Sequence, residues 1–166
     1  MKKTILAIIL AALFLPSLTF AAGSCAQTVS AYTGGYVVVK LACTGDSANG
    51  SIPNMAIATA TMDLVTGTHY LYTVSAYPTS GGTAPDAADV FLLDANGEDL
   101  LGSTDGGTTA NKGANLIHAT LKKTTIPYSH YLSAAYFPAV VNTLTLKVAS
   151  QATASANYTI ELVFVR

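Results

Sequence analysis

The stretch Cys25-Ala-Gln-Thr-Val-Ser-Ala-Tyr-Thr-Gly-Gly-Tyr-Val-Val-Val-Lys-Leu-Ala-Cys43 contains two strand-like runs separated by Thr-Gly-Gly. A three-residue hairpin loop, with its last glycine in the left-handed conformation, pairs Tyr32 with Tyr36. Counting outward along both runs then places Cys25 directly opposite Cys43. The sequence therefore predicts an antiparallel hairpin that a disulfide crosses.

The same register decides which side chains share a face, because side chains alternate between the two faces of a strand. It gathers the apolar side chains and the predicted disulfide on the core side of the hairpin. A two-residue loop at Gly34-Gly35 would shift the pairing by one residue and send the two cysteines to opposite faces. The residues predicted on the core side are Val29, Ala31, Val37, Val39 and Leu41, and those on the outer face are Thr28, Ser30 and Lys40.

The start of the chain has the pattern of a secretory signal peptide. Two lysines precede an apolar run over 4–15, which is too short to cross a bilayer, and small residues follow. We expect cleavage after Ala21 or Ala22, so the predicted organisation is a signal peptide over 1–21 and a single domain over 22–166. The mature chain then has no membrane helix and is exported to the periplasm, the cell surface or the medium.

The only two cysteines of the sequence fit this export, since an isolated pair in an exported protein forms a disulfide by default. The alternative is a lipoprotein acylated at Cys25, for which Ala22 is a poor match to the usual branched apolar residue. That alternative would also leave Cys43 unpaired.

Charge makes nucleic acid an unsuitable partner. Loss of the leader removes two of the eight basic residues and leaves nine acidic ones, so the mature chain is weakly acidic. Its remaining basic residues are scattered and form no stripe that could follow a phosphate backbone. They are Lys40, Lys112, Lys122, Lys123, Lys147 and Arg166.

After the leader, short runs rich in Val, Thr, Tyr and Ile alternate with clusters of Gly, Pro, Asn and Asp. This pattern predicts an all-β fold, an antiparallel β-sandwich of jelly-roll or immunoglobulin-like type with about eight to ten short strands. Glycine-rich loops are predicted over 81–85 and 103–113. The predicted strands are 27–32, 36–43, 55–64, 69–77, 88–94, 98–101, 114–121, 131–137, 143–149 and 157–165.

An acidic cluster interrupts this weakly charged sequence and raises the hypothesis of a calcium site. Its spacing does not match an EF-hand loop, because Gly97 follows Asp94 too closely. A tight hairpin fits better, with Asp94 accepting hydrogen bonds from the turn's own amides. In such a hairpin Asp94 faces Glu98, and a bound cation would relieve their repulsion. The candidate ligands are Asp89, Asp94, Glu98 and Asp99, and the simple hairpin needs no cofactor.

Catalytic patterns are weak, and the sequence predicts a protein that is not an enzyme. Gly45-Asp46-Ser47 is similar to the serine motif of some hydrolases, but a nucleophilic serine needs an oriented base. The histidines, His69, His118 and His130, lack the spacing of a triad or a zinc site.

Two further alternatives rest on the nine tyrosines of the chain and on its last strand, although the chain has no tryptophan, which glycan-binding faces commonly use. One is a glycan-binding platform, although tyrosine is also an ordinary strand residue. The other is a small outer-membrane β-barrel, which the alternating last strand over 157–165 would suit. The tyrosines considered for the platform are Tyr70, Tyr72, Tyr77, Tyr128, Tyr131 and Tyr136.

Three segments carry a family resemblance: Ala84-Pro-Asp-Ala-Ala-Asp-Val-Phe-Leu-Leu-Asp-Ala-Asn-Gly-Glu-Asp-Leu-Leu-Gly102, Asn142-Thr-Leu-Thr-Leu-Lys-Val148 and Tyr158-Thr-Ile-Glu-Leu162. Over 67–166 the chain resembles a loosely defined group of short, uncharacterised β-rich proteins of tailed phages and bacterial genomes. The resemblance implies a structural or surface-assembly role of a virion-like kind and assigns no catalytic residue. The leader and the cysteine pair depart from a phage setting and indicate export by a bacterial host.

The function expected from the sequence is therefore an exported, non-enzymatic structural or assembly subunit at the cell envelope or extracellular surface. Self-association, or contact with other envelope or surface proteins, would use free strand edges. The alternatives are a calcium- or glycan-binding β-sandwich module and the small outer-membrane barrel.

Overall fold

The computed structural model describes residues 22–101, 113–129, 134–135 and 142–166. The expected signal peptide, His130, Tyr131 and Tyr136 lie outside the described residues. Within them, eleven strands and one helix are formed. These are β1 (Ser24–Tyr32), β2 (Tyr36–Thr44), β3 (Met55–Ala56), α1 (Thr59–Val65), β4 (Tyr70–Pro78), β5 (Ala88–Leu93), β6 (Ala114–Ile117), β7 (Lys123–Thr125), β8 (Tyr128–Ser129), β9 (Ala134–Ala135), β10 (Thr145–Ala149) and β11 (Asn157–Val165).

The predicted hairpin register is confirmed. Tyr32 pairs with Tyr36 and Cys25 pairs with Cys43, and the two cysteines form a disulfide. The loop has positive φ values of 115° at Gly34 and 82° at Gly35. Residues other than glycine rarely adopt this backbone conformation. Two successive glycines therefore allow the chain to reverse within three residues.

The strands form an antiparallel β-sandwich, as predicted. One sheet has five strands in the order β1-β2-β11-β4-β7, and we call it sheet A. The other, sheet B, has four strands in the order β3-β10-β5-β6, and β8 pairs with β9 separately. All pairings between named strands are antiparallel.

The core lies between the two sheets. Along β11, at the centre of sheet A, buried residues alternate with partly exposed ones, which matches the period of two in a strand. Val90 and Leu92 of sheet B face the same core, and α1 adds Met62 and Val65. Each such aliphatic side chain contributes about 1.5–3 kcal/mol when fully buried.

One core residue brings a polar group inside. Tyr158 is fully buried, and its hydroxyl has no hydrogen-bond partner among the described residues. Burial raises the pKa of Tyr158, and the negative charge of Asp86 raises it further. The Tyr158 hydroxyl therefore stays neutral in the folded protein.

The predicted strand over 55–64 is wrong, because only β3 is extended and the chain then turns into α1. No side chain near the helix start caps it, but the Ala58 amide donates to Oε1 of Gln27 in β1 (3.1 Å). The Gln27 side-chain amide donates in turn to the Thr61 hydroxyl. The helix thus depends on a strand 31 residues earlier. The side chains of α1 that face the core are Thr61, Met62 and Val65, with the spacing of one helix face.

Two other predicted strands differ from the structure. The segment 98–101 makes only a single bridge, between Asp99 and Leu93. The backbone amides of Leu92 and Leu101 donate to the Asp99 carboxylate, so they are not available for hydrogen bonds between two strands. The predicted strand over 114–121 ends at Ile117 in sheet B. A short strand missed by the sequence, β7, follows and pairs with β4 in sheet A.

The core side of β1 also differs from the prediction. Val37, Val39 and Leu41 of β2 are buried as expected, but Val29 is 38% exposed and Ala31 is exposed. This end of β1 is therefore more exposed than its start, where Cys25 and Gln27 are partly buried. None of the described helices is long and apolar enough to cross a membrane.

Candidate functional site

Three tyrosines line one end of the outer face of sheet A. Tyr32 of β1 lies opposite Tyr36 of β2. Val165 of β11 lies between Tyr36 and Tyr70 of β4. Directly paired residues point to the same face, so the three tyrosines lie in one line across four strands, with Val165 between Tyr36 and Tyr70. The strand spacing gives a span of about 14 Å from β1 to β4.

A bulge brings a fourth tyrosine to the same end of the sheet. The pairing of β4 with β11 passes from Thr73 to Leu71 and leaves Tyr72 as the extra residue. Bulges commonly re-aim a side chain in this way. Tyr32, Tyr36, Tyr70 and Tyr72 are between 44% and 56% exposed, and we call these four residues the tyrosine row.

Farther along the same face, charged side chains replace the aromatic ones. Glu161 of β11 lies between Lys40 (3.6 Å) and Lys122 (3.2 Å). The Lys122 ammonium also lies 5.1 Å from the centre of the Tyr77 ring, a cation–π distance. The Tyr77 ring is therefore partly covered by the Lys122 side chain.

The sequence prediction found only part of this arrangement. It proposed Tyr70 and Tyr72, which belong to the tyrosine row, and Tyr77, which does not. It missed Tyr32 and Tyr36, although the hairpin register already placed these two opposite each other. Tyr128 lies in β8, and nothing further is described of its side chain.

The acidic segment forms the tight turn that the sequence predicted. Asp94 Oδ1 accepts from the amides of Asn96 (2.8 Å) and Glu98 (2.9 Å), and Gly97 has a positive φ of 82°. The Asp94 amide donates to the Glu98 carbonyl (2.9 Å), so these two residues do face each other. The Asp94 carboxylate is thus used within the turn.

Asp99 forms hydrogen bonds to β5, to the residues after the turn and to the residue before β6. Its Oδ1 accepts from the amides of Leu92 and Leu101 (both 3.1 Å), and its Oδ2 accepts from Gly113 (3.0 Å). Burial raises the pKa of Asp99 above its usual 3.8, although these amides and the positive charge of Lys147 oppose the rise.

The structure does not gather the four candidate ligands into one site. Asp89 points instead toward Asn115, whose side-chain amide donates to Asp89 Oδ1 (3.1 Å). Within the described ranges, no three His, Cys, Asp or Glu side chains are arranged to hold a metal ion. The acidic residues that the structure describes there stabilise turns and strand ends.

The residues considered for catalysis have similar local roles. Asp46 Oδ1 accepts from the amides of Ala48 (2.7 Å) and Asn49 (3.1 Å) and shapes the loop in which exposed Ser47 lies. His69 Nδ1 contacts the neighbouring Thr68 hydroxyl at 2.8 Å. His118 likewise accepts from amides two and three residues later. Each of these side chains organises its own turn.

Comparison with known proteins yields only distant structural similarities. The sequence matches no family model and no curated protein. A cupin domain from Bordetella pertussis Tohama I is 7% identical, with a TM-score of 0.31, and the match covers 88% of this chain and 97% of that domain. The C-terminal family 22 carbohydrate-binding module of a Clostridium thermocellum protein is 15% identical, with a TM-score of 0.29, over 92% and 89% of the two chains. Neither similarity is high enough to carry an inference about function.

Proposed function

We propose that this chain is an exported, non-catalytic β-sandwich protein that binds glycans through the tyrosine row. The observation that supports this is the alignment of Tyr32, Tyr36 and Tyr70 across one end of sheet A, each about half exposed. Exposed apolar groups gathered in this way are a common mark of a binding surface. None of the four tyrosines of the row belongs to the buried core.

The chemistry of tyrosine suits a sugar ligand. A pyranose ring has one face of C–H groups, which can stack on an aromatic ring, and an edge of hydroxyl groups. Tyrosine offers an apolar ring together with a hydroxyl that donates and accepts hydrogen bonds. A row spanning about 14 Å, from the strand spacing, is longer than one sugar ring, so the ligand class that fits is an oligosaccharide or polysaccharide chain.

Export is supported by the leader pattern and by the disulfide. Disulfides persist in oxidising compartments and are rare in the bacterial cytosol. The bridge between Cys25 and Cys43 lies at the start of β1, only a few residues after the expected cleavage site. It joins the two strands that carry half of the tyrosine row.

The test is a binding assay of the purified protein on cellulose, chitin, xylan and peptidoglycan, by pull-down for insoluble glycans and affinity electrophoresis for soluble ones. Tyr36→Ala removes the most central ring of the row. We expect a loss of about 1–2 kcal/mol, or roughly 5- to 30-fold in affinity, on the scale of central interface residues. Tyr77→Ala is the matched control, because Tyr77 lies on the same strand and face as Tyr70, about 20 Å farther along β4.

Two outcomes would contradict the proposal. One is the absence of binding to every glycan in the panel. The other is binding that Tyr36→Ala leaves unchanged, or that Tyr77→Ala weakens equally. Thermal unfolding of both variants checks that the fold is retained, and the half-exposed position of Tyr36 predicts that it is.

A structural or assembly subunit, as expected from the sequence and from the resemblance to phage-like proteins, is the second candidate function. The observation that favours it is the free edge of β1, where apolar side chains are exposed. The calcium-binding alternative stays a hypothesis, and the acidic turn provides its test below.

A further inference from the structure

We propose that β1 is a pairing edge, at which a second copy of this chain adds its own β1 in antiparallel orientation and forms a twofold dimer. This inference is independent of the glycan proposal. It rests on the lengths of the sheet edges, on the direction of the β1 backbone groups, and on the side chains that β1 exposes.

The edge strands that the structure describes differ greatly in length. β1 has nine residues, whereas β7, at the other edge of sheet A, has three. The edge strands of sheet B, β3 and β6, have two and four residues. A short edge strand offers few backbone groups to another chain and so limits unwanted pairing. β1 is long and lacks this protection.

The backbone of β1 offers hydrogen-bonding groups to a partner. Cys25 and Cys43 have Cα atoms only 3.9 Å apart, which marks a pair that is not hydrogen-bonded across the strands. The N–H and C=O groups of Cys25 therefore point away from β2, and by alternation so do those of Gln27, Val29 and Ala31. These residues form the unpaired edge of sheet A.

The side chains of the edge carry none of the usual safeguards against association. β1 contains no charged residue and no proline, the two commonest protections of an edge strand. Val29 points toward the core side of the sheet yet is 38% exposed, and Ala31 beside it is exposed. At this end of β1, apolar groups on the core side of the sheet are in contact with solvent.

A second copy is the occupant that these features favour. β1 paired with β7 of another copy would join nine residues to only three, whereas two β1 strands centred on Val29 pair over residues 26–32 of both copies. An antiparallel pair centred on Val29 places Val29 against Val29 of the second copy and Gln27 against its Ala31. Because β1 is uncharged, the self-contact brings no like charges together.

Such a dimer would join two five-stranded sheets into one continuous sheet of ten strands. The twofold axis would run perpendicular to the sheet, so the outer faces of both copies would lie on the same side. A pair of identical surfaces related in this way is the commonest arrangement of homodimers. Val29 would then lie beside Val29 of the second copy, and Ala31 beside its Gln27.

The first test is the molar mass of the purified protein by light scattering or sedimentation over a concentration series. We expect a dimer for the unmodified protein and a monomer for Val29→Lys, which puts a charge at the centre of the contact. Leu121→Lys is the matched control, because Leu121 is also exposed but lies in the loop before β7. It should remain dimeric.

The second test uses the direction of the amides. Val29→Pro removes an N–H that points away from β2, so the dimer should be lost while the thermal stability of the monomer is kept. Ser30→Pro removes an N–H of the β1–β2 ladder and should destabilise the fold instead. If Val29→Pro does not fold, the test is instead the hydrogen-exchange rate of the Val29 amide in the unmodified protein. Protection that appears only at high concentration supports the dimer.

A protein that is monomeric at every concentration would overturn the proposal, and so would a dimer that persists in Val29→Lys. A Val29 amide that exchanges at the same rate at low and high concentration would overturn it as well. A heterogeneous series of higher oligomers would exclude the twofold arrangement, because an isologous β1 contact closes after two copies.

Discussion

Replacing Asp99 with alanine should destabilise the protein far more than replacing its acidic neighbours. The Asp99 carboxylate accepts hydrogen bonds from the backbone amides of Leu92, Leu101 and Gly113, at 3.0–3.1 Å. These amides belong to three separate segments: the end of β5, the chain after the turn, and the residue preceding β6. Asp99→Ala removes their common acceptor.

The magnitude follows from the number and setting of these bonds. A hydrogen bond to a charged group contributes about 1.5–3 kcal/mol, and an unsatisfied buried amide costs about 1–3 kcal/mol. Three bonds would suggest a larger sum, but the burial that raises the pKa of Asp99 shows that its ionised form is not fully stabilised. We therefore expect a loss of about 3 kcal/mol in the free energy of unfolding, on the scale of large single-residue effects.

Two neighbouring substitutions serve as controls. Asp94→Ala removes a partly exposed carboxylate that accepts from two amides of the turn, so the expected loss is about 1 kcal/mol, as for a lost helix cap. Glu98→Ala changes an exposed side chain opposite Asp94 and should stay within about 0.5 kcal/mol of the unmodified protein. Urea unfolding monitored by circular dichroism measures all three variants, with an unchanged denaturant slope as the sign of a two-state comparison.

The reasoning is refuted if Asp99→Ala costs no more than Glu98→Ala. The same experiment, repeated with calcium and with a chelator, shows whether the acidic segment is only a structural turn or also binds a metal ion. A ligand present at 100 times its Kd stabilises the folded state by about 2.7 kcal/mol. If calcium produces such a gain and Asp94→Ala abolishes it, the acidic segment binds the ion; equal midpoints with calcium and chelator mean that the acidic residues only shape the turn.

The remaining predictions concern pH, the disulfide, the helix and the leader. Because the pKa of Asp99 is raised, the folded state binds this proton more tightly than the unfolded state. The stability of the unmodified protein relative to Asp99→Asn should therefore be greatest below pH 3.8 and fall as the pH rises through the pKa of the folded state. A stability difference that does not change with pH would contradict this. Reduction of the Cys25–Cys43 bridge, which closes a separation of 18 residues, should cost about 3 kcal/mol of stability, whereas two free thiols in the unreduced, unfolded protein would disprove the bridge. Gln27→Ala should cost about 1 kcal/mol by removing the acceptor at the start of α1, and Gln27→Glu, which keeps an acceptor, should recover most of it; equal losses would show that this contact is unimportant. Intact mass of the exported protein should correspond to a chain beginning at residue 22 or 23, and a full-length chain in the cytoplasm would exclude the leader.

Features that depend on neighbouring residues could be predicted from the sequence. The β1–β2 register follows from a three-residue loop with glycines at its end, and it correctly paired Cys25 with Cys43. The Asp94 turn follows from an aspartate and a glycine three residues apart. The alternation of β11 identifies a strand with one buried face. In each case the deciding interactions span only a few residues, so the local chemistry is sufficient.

Features that depend on contacts between distant segments could not be predicted. The helix α1 is short, and its first turn is completed by Gln27 of β1, so residues 55–64 alone do not distinguish helix from strand. The exposure of Val29 depends on how far the other elements extend beneath β1. The register alone placed Val29 on the core side, and the packing of the other elements leaves 38% of it exposed there.

The tyrosine row is the clearest case of this division. That Tyr32 lies opposite Tyr36 could be predicted from the sequence, because a local hairpin loop sets that pairing. The sequence did not determine that β11 would insert between β2 and β4, which brings Tyr70 into line with them across Val165. Strand order is decided by which apolar faces pack together in the core, and residues far apart in the chain contribute to that packing. The candidate binding surface is therefore a property of the sheet order, which no single segment of the sequence contains.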